Sequence, residues 1–208
     1  MNKKSKKLRN KLIIGLSGLI AFFIIMLTYK SVPDVITPDN IKKGIHYTEV
    51  NSDLYKSNKK IVAIVSLTCP HCYNFTKNFR DIQKDIEFVP VGWGRGFEQL
   101  SKIMFTAKKF SSNNKVIYEL FEIYNTTKNV NLNQAFKVIE KNTKAKIQEI
   151  ETYYNSEELK EVVIRNQIKA NKLPVTSVPT ILVGDKKLKL ENVKGNDNLK
   201  FLIKEITK

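Results

Sequence analysis

The sequence predicts an α/β domain whose two halves are separated by a helical insertion, with an apolar helix ahead of it at the N-terminus. Three patterns predict it. Residues 61–67 and 86–91 are continuous apolar runs on either side of a helical stretch, the sign of a parallel strand pair covered on both faces. Residues 97–173 repeat their apolar positions every three or four residues, as helices with one buried face do. Residues 180–190 hold two short apolar segments about Gly184-Asp185, a hairpin signal, before a last amphipathic stretch.

The N-terminus comes first in the chain. Lys3, Lys4, Lys6, Lys7, Arg9 and Lys11 precede residues 12–29, an 18-residue stretch without a charge that ends at Lys30. At about 1.5 Å per residue it reaches roughly 27 Å, close to the hydrocarbon thickness of a bilayer. It exceeds the usual core of a signal peptide, and neither a small-residue cleavage site nor a lipidation cysteine follows it. Residues 1–30 therefore read as a signal-anchor in preference to a cleaved signal peptide. The basic flank predicts a cytoplasmic N-terminus and export of residues 31–208.

The formal charge of +16 is partly that flank: the first 30 residues hold seven basic and no acidic residues, leaving +9 on the rest. The remaining lysines are scattered, with no basic stripe interleaved with aromatics, so no nucleic-acid partner is expected. The 178 residues after the anchor suffice for one domain with a proper core.

Residues 31–57, punctuated by Pro33, Pro38 and Gly44, read as a linker with an extended segment near 46–50, and the main domain as residues 58–208. The run 61–67 predicts a covered strand. Phe75, Phe79 and Ile82 predict a helix over residues 73–82, and 86–91 a second strand, so that strand, helix and strand form a βαβ unit. Within the insertion, about 97–173, breaks are expected at 111–114, 125–131 and 142–143. Pro179 stands at the start of the strand 180–183, where a missing N–H is tolerable, and the final helix is expected over 196–206. Two strands, a helical block, then a hairpin and a helix describe a thioredoxin-like fold with an inserted α-helical subdomain.

Cys69-Pro70-His71-Cys72 holds the only two cysteines of the chain, at the junction between the first strand and its helix. Pro70 suits the first helical position, which makes Cys69 the capping residue and places Cys72 in the first turn. A thiolate at Cys69 would face unpaired N–H groups and the positive end of the helix, with His71 as a further cation, so its pKa should fall. The pair reads as built for thiol–disulfide exchange. A structural zinc site needs four ligands, and beyond the two cysteines the chain offers only His46 and His71, with no second Cys pair to favour one; a purely structural disulfide would close a loop too small to remove much chain entropy. No metal or other cofactor is expected beyond the redox-active Cys69–Cys72 disulfide. Export would place the pair in an oxidising compartment.

These residues resemble the DsbA family of bacterial disulfide oxidases. The likeness rests on Cys69-Pro70-His71-Cys72 with Tyr73 and Phe75 after it, on the helical insertion, and on Val178-Pro179 before an apolar strand. It implies a cis bond between Val178 and Pro179, and a role for both residues in presenting a backbone edge to a client peptide. It also implies catalytic roles for Cys69, Cys72, His71 and Pro70, reduced secreted proteins as clients, and a DsbB-type membrane reoxidant. The expected protein is a monomer in the bacterial cell envelope, held in the cytoplasmic membrane with residues 31–208 outside, or soluble in the periplasm if residues 1–30 are removed. One departure stands out: many relatives carry a buried carboxylate six residues before the first cysteine, and here that position is Ala63. The alternatives are an isomerase or reductase of the same fold, or a copper-handling chaperone using Cys69, His71 and Cys72.

Overall fold

The computed structural model describes residues 35–51, 55, 57, 60–92, 97–173 and 175–208. The apolar segment 12–29 lies outside the described residues. Among those described, no helix is long and apolar enough to cross a membrane.

Strands form at β1 (Tyr47–Glu49), β2 (Ile61–Val65), β3 (Ile86–Pro90), β4 (Thr180–Val183) and β5 (Lys186–Leu188), in one sheet of order β1-β5-β4-β2-β3. Every residue of β2 is buried because both of its faces are covered. Ile61, Ala63 and Val65 enter one apolar layer with Phe75, Phe79, Leu202 and Ile203. Val62 and Ile64 enter a second with Tyr55, Val89, Ala170, Leu173 and Leu182. This two-sided covering is why the strand reads as an unbroken apolar run instead of an alternating one.

β2 pairs in parallel with β3, Ile61 opposite Ile86 through Val65 opposite Pro90. The connection is α1 (Pro70–Asn78), followed by a 3-10 segment over Arg80–Asp85. The helix expected to reach residue 82 thus ends at Asn78, and the tighter turn, kinked at Ile82, returns the chain to β3. Phe75 and Phe79, one turn apart, stack with ring centroids 4.5 Å apart and anchor the buried face of α1. On the other side of β2, β4 runs antiparallel with Ile64 opposite Thr180. β4 therefore begins at the edge of the sheet where β2 ends, and the residues before it come beside the start of α1.

Residues 35–51 do more than link. Ile36 is buried in the core, and β1 pairs with β5, Tyr47 opposite Leu188 and Glu49 opposite Lys186. The compact unit spans Ile36–Lys208.

Between β3 and β4 lie α2 (Phe97–Phe110), α3 (Lys115–Thr127), α4 (Leu132–Asn142), α5 (Ile147–Tyr154) and α6 (Glu157–Lys172), and the chain closes with α7 (Asn196–Thr207). Their breaks have local causes. Lys128, in the left-handed conformation, ends α3. The Asn131 side chain accepts from the N–H of Gln134, 2.8 Å, and starts α4, and Ser156 does the same for Leu159 at α6.

One buried group is left over where α3 meets the sheet. The Tyr118 ring packs edge-on against Phe88, centroids 5.8 Å apart, under the Arg80 guanidinium, yet its hydroxyl has no partner among the described residues. Burial pushes the phenol up to about 12. Tyr118→Phe keeps both ring contacts and removes the orphan, so it is expected to leave stability unchanged or raise it by up to about 1 kcal/mol. Urea unfolding checks this, and a loss of more than about 1 kcal/mol would mean that the hydroxyl is satisfied by water.

Candidate active site

The site is assembled by the end of β2, the start of α1 and the turn before β4. Cys69 has extended backbone angles and caps α1, with Pro70 in the first turn. Its N–H donates to Ser66 O at 3.1 Å, and its own carbonyl accepts from the N–H of Tyr73 at 3.1 Å, closing the first helical turn. The Cys69 sulfur then takes the place of a capping oxygen: the N–H of Cys72 donates to it at 3.2 Å. Both cysteines are present as free thiols, Cys69 half-buried and Cys72 fully buried.

The two sulfurs are pushed apart in acidity. The hydrogen bond from the Cys72 thiol lowers Cys69 most; partial burial opposes it, and the N–H groups of Cys72 and His71 and the His71 charge add to it, leaving Cys69 at about 6. Burial drives Cys72 the other way, well above the ordinary thiol range, with Cys69 reinforcing it. With a pKa near 6, Cys69 is about nine-tenths thiolate at pH 7, while Cys72 stays protonated.

Pro70 and His71 are exposed, and the His71 charge is the smallest of these effects on Cys69, behind the His71 N–H. The hydrogen bonds at the end of the helix, more than the histidine, set the acidity of Cys69. Opposite them, the Val178–Pro179 peptide bond is cis, the isomer implied by the resemblance. The Cys69 thiol donates to Val178 O at 3.2 Å, so the structure brings all six predicted site residues to one edge of the sheet. Thr180, buried at the start of β4, fixes this turn through its hydroxyl bond to Ser177 O, 2.7 Å.

Ala63 is fully buried in the same apolar layer as Cys72, and among the described residues the buried polar side chains are Thr76, Ser101, Thr106 and Thr180, none of them an acid. Among the described residues no carboxylate shifts the Cys72 thiol, and the titrating group beside it is the Cys69 sulfur. Among the described residues no three His, Cys, Asp or Glu side chains converge to hold a metal ion.

Sequence reasoning did not find the groove beside the thiol. It has a volume of about 560 Å³ and runs from His71 along the outer face of α1, past Pro179, to the Leu190–Asn192 3-10 turn and the start of α7. Phe75, Leu190, Val193 and Leu199 form its apolar part, and Asn74, Asn78 and Glu191 its polar edge. Asn74 and Asn78 follow His71 at helical spacing, a stripe legible in the sequence. Glu191 arrives from the far end of the chain and gave no such signal.

The fold recurs in solved DsbA structures. That of Proteus mirabilis DsbA with a non-covalently bound peptide, PWATCDS, matches with TM-score 0.63 and 18% identity over 81% of this chain and 97% of that one. Pseudomonas aeruginosa DsbA matches with TM-score 0.64 and 20% identity over 80% and 95%. Klebsiella pneumoniae DsbA gives 0.60 and 18% over 81% and 94%. None of the curated proteins matches the chain. The family model described as thioredoxin matches residues 55–205, which take in β2 to β5, both cysteines and nearly all of α7. With that match over most of its length, the chain belongs to the thioredoxin family.

Proposed function

We propose that the chain is an exported thiol:disulfide oxidoreductase that introduces disulfide bonds into secreted proteins. The observation that carries this reading is the split between the two sulfurs: an accessible, acidic Cys69 at the helix start and a buried, basic Cys72 one turn on. In the oxidised form, a client thiolate attacks the Cys69 sulfur. The Cys69–Cys72 bond breaks, its electron pair leaves with Cys72, and Cys72 takes up a proton. A second client thiolate then attacks the client sulfur of the mixed disulfide, and Cys69 leaves as the stabilised thiolate. The client has lost two electrons and the pair has gained them. Pro70 and His71 shape the helix start, and the backbone at Val178-Pro179 offers the client an edge to pair with.

The apolar segment 12–29 supports a membrane-held protein with its thiol site outside the cytoplasm. There a DsbB-type membrane partner would return the pair to its disulfide. The groove beside Cys69 suits an extended peptide, the kind of ligand that the Proteus mirabilis structure carries.

Equilibration of the full chain in glutathione buffers tests the direction of the chemistry. A reduction potential near roughly −120 mV, the value typical of DsbA, supports the oxidase, whereas one near roughly −270 mV, as in thioredoxin, makes it a reductase or isomerase. Repair of scrambled disulfides faster than formation of new ones would favour the isomerase.

A further inference from the structure

We propose that Glu191 makes the groove beside Cys69 select client segments that carry a lysine or arginine close to the reacting cysteine. This rests on the disulfide-exchange reading and names the clients it favours. Glu191 is the one carboxylate that lines the groove, in a domain whose formal charge is strongly positive. No basic side chain among the described residues pairs with it.

The turn that bears Glu191 explains why it stays unpaired. The N–H of Lys189 donates to His46 O at 2.9 Å, and the Lys189 ammonium is turned back to Gly44 O, also at 2.9 Å. The Asn192 amide holds Ile45 O at 2.6 Å. The nearest lysine in sequence is therefore tied to the segment before β1, and the turn is fixed at both ends with its carboxylate exposed between them.

The rest of the groove suits the same side chains. Phe75, Leu190, Val193 and Leu199 give an apolar floor beside that carboxylate. A lysine or arginine covers such a floor with its methylene stem while its charged head reaches the edge. An acidic client residue would meet Glu191 as a like charge, and a short polar one would leave the floor uncovered. Charge complementarity at such a rim acts mainly on the rate of encounter and on choice between partners.

The test uses the full chain, oxidised, with reduced two-cysteine peptides that differ only in carrying Lys, Gln or Glu at one of the positions flanking the reactive cysteine. At about 20 mM salt, where exposed charges are little screened, the best-placed Lys peptide is expected to react about threefold faster than its Gln counterpart, the scale of an exposed ion pair. The Glu peptide should be slower still, and about 0.5 M salt should erase the differences. E191Q is expected to remove the preference, while E151Q, the same charge change on exposed α5, keeps it. A Lys preference that survives in E191Q, or equal rates for all peptides, would overturn the role of Glu191 alone. Peptides that are not oxidised at all would overturn the exchange reading and this inference with it.

Discussion

Replacing Cys69 with serine is expected to abolish disulfide transfer to a reduced client, a loss of more than about a thousandfold, since a hydroxyl is a far weaker nucleophile and leaving group than a thiolate. Replacing Cys72 with alanine has a different outcome. Cys69 keeps most of its helix-start hydrogen bonds and still attacks a client disulfide, but no neighbouring thiol resolves the product, so the mixed disulfide accumulates. Acid quenching followed by non-reducing electrophoresis and mass spectrometry separates the two: no adduct with C69S, a stable covalent adduct with C72A. The asymmetry follows from the structure, in which Cys69 is half-exposed and Cys72 fully buried. An adduct that forms through Cys72 in C69S would reverse the roles assigned to the two sulfurs.

What the sequence reveals and what it hides differ by the range of the interaction. β2, β3 and β4 are legible because each is an apolar run long enough to be buried on its own terms, and the start of α1 because a proline at the first helical position has few other uses. The breaks in the helical insertion are equally local, as at Asn131 and Ser156, whose caps lie three residues from the N–H they bind. β1 falls within the extended segment expected near 46–50, but its partner is not legible, since the strand gains its place by pairing with β5, some 140 positions later. The end of α1 is set by the need to turn into β3, which the periodicity of Phe75, Phe79 and Ile82 does not encode.

At the site, the residue types were legible and their weights were not. The sequence places His71 and the helix terminus beside Cys69 and offers both as causes of its low pKa, without their order. The structure adds the Cys72 thiol as the largest cause and puts the helix N–H groups ahead of the His71 charge, because that order depends on which donor points at the sulfur. Glu191 was hidden because its place in the groove with His71 and Val178 is created by the antiparallel return of the chain through β4 and β5.

The low pKa of Cys69 should appear in the pH dependence of both reactivity and stability. For the reduced protein, alkylation by iodoacetamide is expected to follow the thiolate, with a midpoint at about 6 and a tenfold fall for each further unit of acidification. His71→Ser should raise that midpoint only slightly, and C72A, which removes the largest stabilising donor, by more. The same shift links to stability. A thiol whose pKa is depressed on folding stabilises the folded reduced protein above the unfolded value, ordinarily about 8.5, and loses that contribution as the pH falls through about 6. The oxidised protein has no such group, so the melting temperature of the reduced form should rise relative to the oxidised form between about pH 6 and pH 8.5. At pH 7, one unit above the folded pKa, the contribution is at most about 1.4 kcal/mol, and less for a half-exposed sulfur screened by solvent. For a two-electron couple that ceiling corresponds to about 30 mV toward the oxidising side. A potential near roughly −120 mV would then require stabilisation of the reduced pair, or destabilisation of its disulfide, beyond what the acidity of Cys69 contributes.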